Sequence, residues 1–253
     1  MEEYRWNAEQ LAHGYDVAAQ RIHPYYEEIQ DKILDLIEHL GSKITLVDAG
    51  GGSGRLLEKF LCRCPASRAI LIDQSKSFLN LARQRLQRFG DRARVHAARL
   101  QDDWSPIVDQ PHAIVSMSAI HHLESAEKRE LYERLFLSLA PNGVFINGDE
   151  IRANDDAVYL KQCKAWAAHM HVLMDQQQVP ESIYQPLLQW EARNVDGFGI
   201  PKSSGDDCHE TIEVQCGYLT DAGFASVAVP WQKEMWAIFK AVKSDKITLG
   251  LRR

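Results

Sequence analysis

Residues 44–57 constrain this chain more than any other stretch. Ile44-Thr-Leu-Val-Asp48 is a short β-branched, apolar run that ends in a carboxylate. Ala49-Gly50-Gly51-Gly52-Ser-Gly54 follows, and a helical pattern starts at Arg55. That order is strand, tight turn, helix. Glycine permits positive φ and removes the Cβ that would hold a ligand away from the main chain. The helix start behind the loop offers unpaired N–H groups. The local sequence therefore builds a place where a nucleotide-like ligand can lie against backbone.

A phosphate loop of the P-loop type needs Lys followed by Ser or Thr after its last glycine, and Arg55-Leu56 stands there instead. The dinucleotide pattern G-x-G-x-x-G does not fit glycines spaced two apart at 50, 52 and 54. The order Asp48-x-Gly50-x-Gly52-x-Gly54 resembles the loop of the class I, Rossmann-like S-adenosylmethionine-dependent methyltransferases. The resemblance implies that Gly50, Gly51, Gly52 and Gly54 lie against the adenosyl-methionine portion. It also implies that Asp48 organises the loop and meets the cofactor's amino group through water.

Downstream segments extend the resemblance. A second apolar strand, residues 69–72, ends in Asp73-Gln74, roughly 20 residues past the loop, as a βαβ unit requires. A carboxylate there can accept hydrogen bonds from a ribose diol, so Asp73, with Gln74 beside it, is a cofactor candidate. Phe78, Leu79, Ala82 and Leu86 then repeat with helical spacing. A third strand at 93–97 leads to Arg99-Leu100 and to Asp102-Asp103. The family often has an acidic residue where Arg99 stands, so Asp102, Asp103 or the backbone of Leu100 is left for adenine. A fourth strand, 113–118, carries Ser116 and Met117 toward the methionine part and runs into His121-His122. Adjacent histidines rarely share one metal, and no metal site is expected. Ala140-Pro-Asn-Gly143 reads as a turn into a fifth strand, 144–150, with an acidic end at Asp149-Glu150.

The implied fold is α/β: a doubly wound, mostly parallel seven-stranded sheet. Residues 1–42 form an N-terminal helical cap, 43–152 and 211–243 the core, 153–210 a helical lid, and 244–253 a tail. In the cap, Ile22, Ile29, Ile33, Leu36, Ile37 and Leu40 make a helical stripe stopped by Gly41. Arg21-x-x-Pro24-x-Tyr26 resembles a subgroup that includes tRNA wobble-uridine carboxymethyl transferases. By that match Tyr26, with Arg21, closes over the cofactor. In the lid, residues 157–175 read as a helix, and Pro180, Pro186 and Trp190 mark a second, interrupted one. At the C-terminal end, 211–222 is a helix, 225–229 a strand, Pro230-Trp231 a turn and 235–242 the returning strand.

With 253 residues, 45% hydrophobic and 25% charged, the chain can bury a large core. Its net charge of −6 argues against nucleic acid as a partner. The arginines at 83, 85, 88, 92, 94 and 99 read as a solvated helix face. No apolar run approaches the ~20 residues of a membrane span. Met-Glu-Glu-Tyr-Arg-Trp resembles neither a secretory nor a transit signal. Five cysteines, an odd number, suit free thiols in a reducing compartment, so a cytoplasmic location is expected. A homodimer is compatible with this composition.

The function implied is methyl transfer from S-adenosyl-L-methionine to a small molecule, leaving S-adenosyl-L-homocysteine. His121, Glu150 and His169 are the acid–base candidates, with His171 beside them. Two alternatives stand next to it: a tRNA-modifying (carboxy)methyltransferase, and a protein that binds the cofactor without chemistry.

Overall fold

A computed structural model describes residues 5–245. One sheet holds β1 (Thr45–Ala49), β2 (Arg68–Asp73), β3 (Ala93–Ala97), β4 (Ala113–Met117), β5 (Val144–Glu150), β6 (Ser226–Lys233) and β7 (Trp236–Val242). Their order is β3-β2-β1-β4-β5-β7-β6. The first five strands are parallel, and β7 runs antiparallel to both neighbours. The central strands are buried almost throughout. Covered on both faces, they read as unbroken apolar runs rather than as alternating patterns.

Alternation along the strands divides the core. Leu46, Ala69 and Leu71 point into one buried cluster with α1 (Glu9–Ile22), α2 (Tyr26–Asp35), α3 (Arg55–Arg63) and α4 (Lys76–Leu86). Val47, Ile70 and Ile72 point into another with α5 (Ser125–Ser138) and α8 (Ile212–Asp221). Between them, α6 (Asp156–Asp175) and α7 (Tyr184–Glu191) extend the first cluster and close over α1. β1 lies between β2 and β4, so the chain's crossovers leave it in opposite directions. That reversal opens a crevice at the carboxyl ends of the strands.

Four sequence readings are corrected. Pro230-Trp231 does not turn the chain; it sits inside β6, where the pairing with β7 shifts between Ala228 and Trp231. An edge strand at a bulge tolerates a residue without an N–H, and the reversal falls at Glu234, whose φ is 49°. The N-terminal stripe is split, because Pro24 disfavours helix in the residue before it and α1 stops at Ile22. The arginine series is a solvated face only in part: Arg83, Arg88, Arg94 and Arg99 are exposed, but Arg85 and Arg92 turn inward. Arg85 bonds the Asp16 carboxylate and the Ser53 carbonyl, and Arg92 bonds the carbonyls of Leu61, Cys64 and Ser67. Residues 192–196 form a π-turn, which takes in the start of the Gly/Pro/Ser-rich stretch 194–207 that reads as a loop. The tail beyond residue 245 lies outside the described residues.

All five cysteines are free thiols. No helix among the described residues is long and apolar enough to cross a membrane.

Candidate active site

A cavity of about 400 Å³ opens at the carboxyl ends of the parallel strands. Its floor is the glycine loop. The N–H groups of Gly50 and Gly51 donate to the Ile72 carbonyl at 2.8 and 3.1 Å, which staples the loop to the end of β2. Gly50 and Gly52 have φ of 73° and 52°. A Cβ on Gly50 would lie 2.5 Å from the Ala119 methyl, whereas one on Gly52 would meet nothing within 4 Å. Gly54, with φ of 81°, starts α3 and packs toward Leu86; it shapes the loop from behind and does not line the cavity.

Two carboxylates face this floor. Asp73 accepts from the Gly52 N–H at 2.9 Å and from the Ser75 N–H at 2.8 Å. It therefore locks the loop to the start of α4. Burial raises its carboxyl above the usual value against those hydrogen bonds. Asp48 is buried, and its Oδ2 has no hydrogen-bond partner among the described residues. Burial first, and then the neighbouring Asp73, push its carboxyl up to about 7.

Tyr26, Gln74, Arg99, Leu100 and Met117 also line the cavity. Ser116 does not; it is buried and donates to the Ala49 carbonyl at 2.8 Å, holding β4 against β1. Asp102 accepts from the Arg99 N–H at 2.7 Å, and Asp103 bonds Ser105. Both are spent on their own turn, and residues 98–101 form the wall instead. Arg21 does not reach the cavity, for its guanidinium bonds the Gln178 carbonyl on the lid.

Several lining groups had no readable signal in the sequence. Trp6, Tyr15 and Phe78 make an aromatic corner, with Trp6 4.9 Å from Tyr15 and 5.5 Å from Phe78 between ring centroids. The segment bearing Trp6 is docked on α4, where Ser75 donates to the Trp6 carbonyl and Lys76 N–H donates to Asn7 at 3.0 Å. Asp16, on α1, accepts from Ser53, Arg55 and Arg85. Burial opposes its ionisation, but those three hydrogen bonds hold its carboxyl below the usual value.

A second cavity, of about 80 Å³, lies between the strand ends and the lid. Trp6, Tyr15, Ser118 and His122 line both cavities. Trp166, Met170, Ile183, Leu187 and Trp190 form its apolar wall. Ser118 holds φ of 53°, and its buried Oγ has no partner among the described residues. Backbone strain of this kind gathers at functional sites.

The other wall is charged. His121 Nδ1–H donates to Asp149 Oδ1 at 2.6 Å, and the His121 backbone N–H donates to Oδ2 at 3.0 Å. Burial alone would lower this imidazole, but Glu150 and Asp149 override it and raise it to about 9. Glu150 is buried with Oε2 2.9 Å from His209 Nε2, and His209 Nδ1 lies 2.6 Å from the Tyr159 hydroxyl. Asp207 Oδ2 accepts from Asn194 at 2.8 Å and from Arg193 at 3.1 Å, while Oδ1 lies 4.0 Å from His121 Nε2. Burial works against ionisation of Glu150 and Asp207 too, yet the surrounding histidines hold both below the usual value. His169 takes no part: it bonds the Arg21 carbonyl at 2.8 Å and lines neither cavity. His171 pairs with Glu191 at 2.6 Å instead.

Residues 47–145 match the methyltransferase domain family model. The chain is 29% identical over 148 residues to an uncharacterized methyltransferase of Bacillus licheniformis, covering 57% of this chain and 62% of that one. Residues 47–145 thus resemble a methyltransferase domain, and the sheet order is that of the class I, Rossmann-like fold. Its fold is shared with an O-methyltransferase family protein from Burkholderia thailandensis, at 18% identity and a TM-score of 0.59, over 85% of this chain and 56% of that one. It is shared also with human N-acetylserotonin methyltransferase in complex with SAM, at 14% identity and a TM-score of 0.56, over 91% of this chain and 57% of that one. The chain thus spans under two thirds of the length of these proteins.

The cofactor implied by the methyltransferase match is S-adenosyl-L-methionine, and the large cavity fits it. The open space above Gly52 admits a ligand against main chain. The unpartnered Asp48 Oδ2 suits an ammonium group. The Asp73 carboxylate and the aromatic corner suit a ribose and an adenine.

Proposed function

We propose that this chain transfers the methyl group of S-adenosylmethionine to a hydroxyl of a small, largely apolar acceptor held in the second cavity. The observation that carries this reading is the meeting of the two cavities along Trp6, Tyr15, Ser118 and His122. A donor in one and an acceptor in the other would share that boundary.

Gly50, Gly51 and Gly52 cradle the cofactor, Asp73 its ribose and Asp48 its amino group. Tyr26, Gln74, Arg99, Leu100 and Met117 complete the cleft, while Gly54 and Ser116 set its shape from outside. Bound there, the cofactor supplies an already activated sulfonium methyl group. The residues then have to align the acceptor at near-attack distance and take its proton. Trp166, Trp190, Leu187 and Met170 hold the acceptor's apolar body. Its hydroxyl meets the charged wall, where Glu150 is the group we assign to the proton and His121, held by Asp149, balances its charge. A flat ring with one hydroxyl matches this division between apolar and charged walls.

Calorimetric titration with S-adenosylmethionine and S-adenosylhomocysteine tests the cofactor half. Wild type should bind both, and Asp73→Ala should lose about 1–3 kcal/mol, the scale of lost hydrogen bonds to a charged group. Mass-spectrometric screening of phenolic acceptors, each checked for the gain of one methyl group, tests the other half. Failure of wild type to bind either ligand sinks the reading.

A further inference from the structure

The charged wall contains more ligating groups than proton transfer needs. His121, Glu150 and His209 each offer a ligand atom, and these atoms lie within 4.8 Å of one another. They come from three places: the turn after β4, the end of β5 and the segment before α8. His121, His122 and Asp207 form an overlapping group that shares His121. We infer that His121, Glu150 and His209 bind a divalent transition-metal ion at the inner end of the acceptor cavity.

Four observations carry this. First, the imidazoles are oriented as metal ligands are. His121 gives Nδ1 to the buried Asp149, which leaves Nε2 to ligate, and His209 Nδ1 is held by Tyr159. Ligating histidines commonly bond their other ring nitrogen to a carboxylate or another polar group, which fixes the ring. Second, three buried carboxylates, Asp149, Glu150 and Asp207, gather around His121, while the guanidinium of Arg193 pairs with Asp207. Their combined negative charge favours a divalent cation at this point. Third, His23 is buried, and its Nδ1 has no partner among the described residues although it lies 4.0 Å from Glu150 Oε1. It is a further donor aimed at the same carboxylate. Fourth, His121, Glu150 and Asp207 line the cavity, so the ion would keep a side open to an acceptor oxygen.

Two histidines and one carboxylate select the ion's chemistry. Imidazole suits zinc, copper, iron and nickel, whereas magnesium favours oxygen ligands and retained water. Three protein ligands with a fourth position open is the arrangement of catalytic zinc. This ligand set is not legible in the linear order, because the His121-His122 pair has the wrong spacing; the partners that complete the site are Glu150 and His209. The location beside the methyl donor rests on the function proposed above, while the ligand set rests on geometry alone.

The test starts from full-length protein stripped by a chelator and titrated with Co2+, read by its visible absorption and by competition with Zn2+. One equivalent should bind. His209→Ala and Glu150→Gln should each weaken binding by roughly 100-fold or more, since even supporting residues of metal sites are worth 10–100-fold. S-adenosylhomocysteine binding should persist in both variants and reports that they fold. Wild type that binds S-adenosylhomocysteine but takes up no Co2+ overturns the inference and leaves the proposed function standing. Uptake unchanged in the folded variants overturns it as well. Should the variants not fold, anomalous scattering from wild-type crystals soaked in Zn2+ decides. A peak between His121, Glu150 and His209 upholds the site, and its absence there refutes it.

Discussion

Gly50 and Gly52 show how one substitution carries two different costs. Gly50→Ala meets both a left-handed backbone, φ 73°, and the Ala119 methyl at 2.5 Å. Strain and overpacking together predict a loss of about 2–4 kcal/mol in chemical denaturation. Gly52→Ala meets only the backbone term, about 1–2 kcal/mol, but its methyl enters the cofactor space. Its mark should be weakened S-adenosylhomocysteine binding on a near-normal fold. Asp48 supplies a pH signature. Its folded carboxyl sits at about 7, raised by burial and then by Asp73. For an acid raised on folding, the stabilising term is full below the unfolded value of about 4 and is lost as pH climbs to about 7. Asp48→Asn should flatten that decline in a denaturation series. An ammonium beside Asp48 favours its ionised form, so cofactor binding at about pH 6 should release a proton, and at about pH 8.5 should not. Calorimetry in two buffers of different ionisation enthalpy measures this, and equal release by wild type and Asp48→Asn would reject Asp48 as the source.

Among the elements, α1 is the one whose placement decides the cleft. Asp16 clasps it to the loop and to α3 and α4 through Ser53, Arg55 at 2.9 Å and Arg85 at 2.8 Å. Removing one member of a buried ionic group leaves the others uncompensated. Asp16→Ala should therefore cost about 3 kcal/mol, seen as a lower denaturant midpoint, and should loosen Tyr15 and Tyr26 over the cavity. At its other end α1 is held to the lid, with Trp166 donating to the Ile22 carbonyl at 2.9 Å. The elements themselves were legible where their signal is local. The glycine loop ahead of α3 and the helical spacing of Phe78, Leu79, Ala82 and Leu86 in α4 both lie within or next to what they shape. Pro230 was misread because a bulge on an edge strand depends on the partner strand, which no window around Pro230 contains.

At the scale of the molecule, the large cavity is lined by α1, α2, the glycine loop and the lid residues Ser204 and Gly205 together. A ligand there ties three parts of the chain. S-adenosylhomocysteine at about 100 times its Kd should stabilise the protein by about 2.7 kcal/mol, seen as a higher Tm. Amide exchange should slow in α1 and in residues 197–211; protection confined to the glycine loop would mean that the lid and cap do not close on it. The parallel sheet and the cofactor cleft follow from local order, because each rests on a strand, a turn and a helix that are neighbours in the chain. Asp48, Gly50, Gly52 and Asp73 are readable for that reason. The charged wall exists only in the folded chain. His121, Glu150, Asp207 and His209 meet because strand ends and a lid loop converge there, and His169, equal to them on paper, is turned toward Arg21. Packing between distant segments sets that convergence, and helix and strand periodicity carry no trace of it.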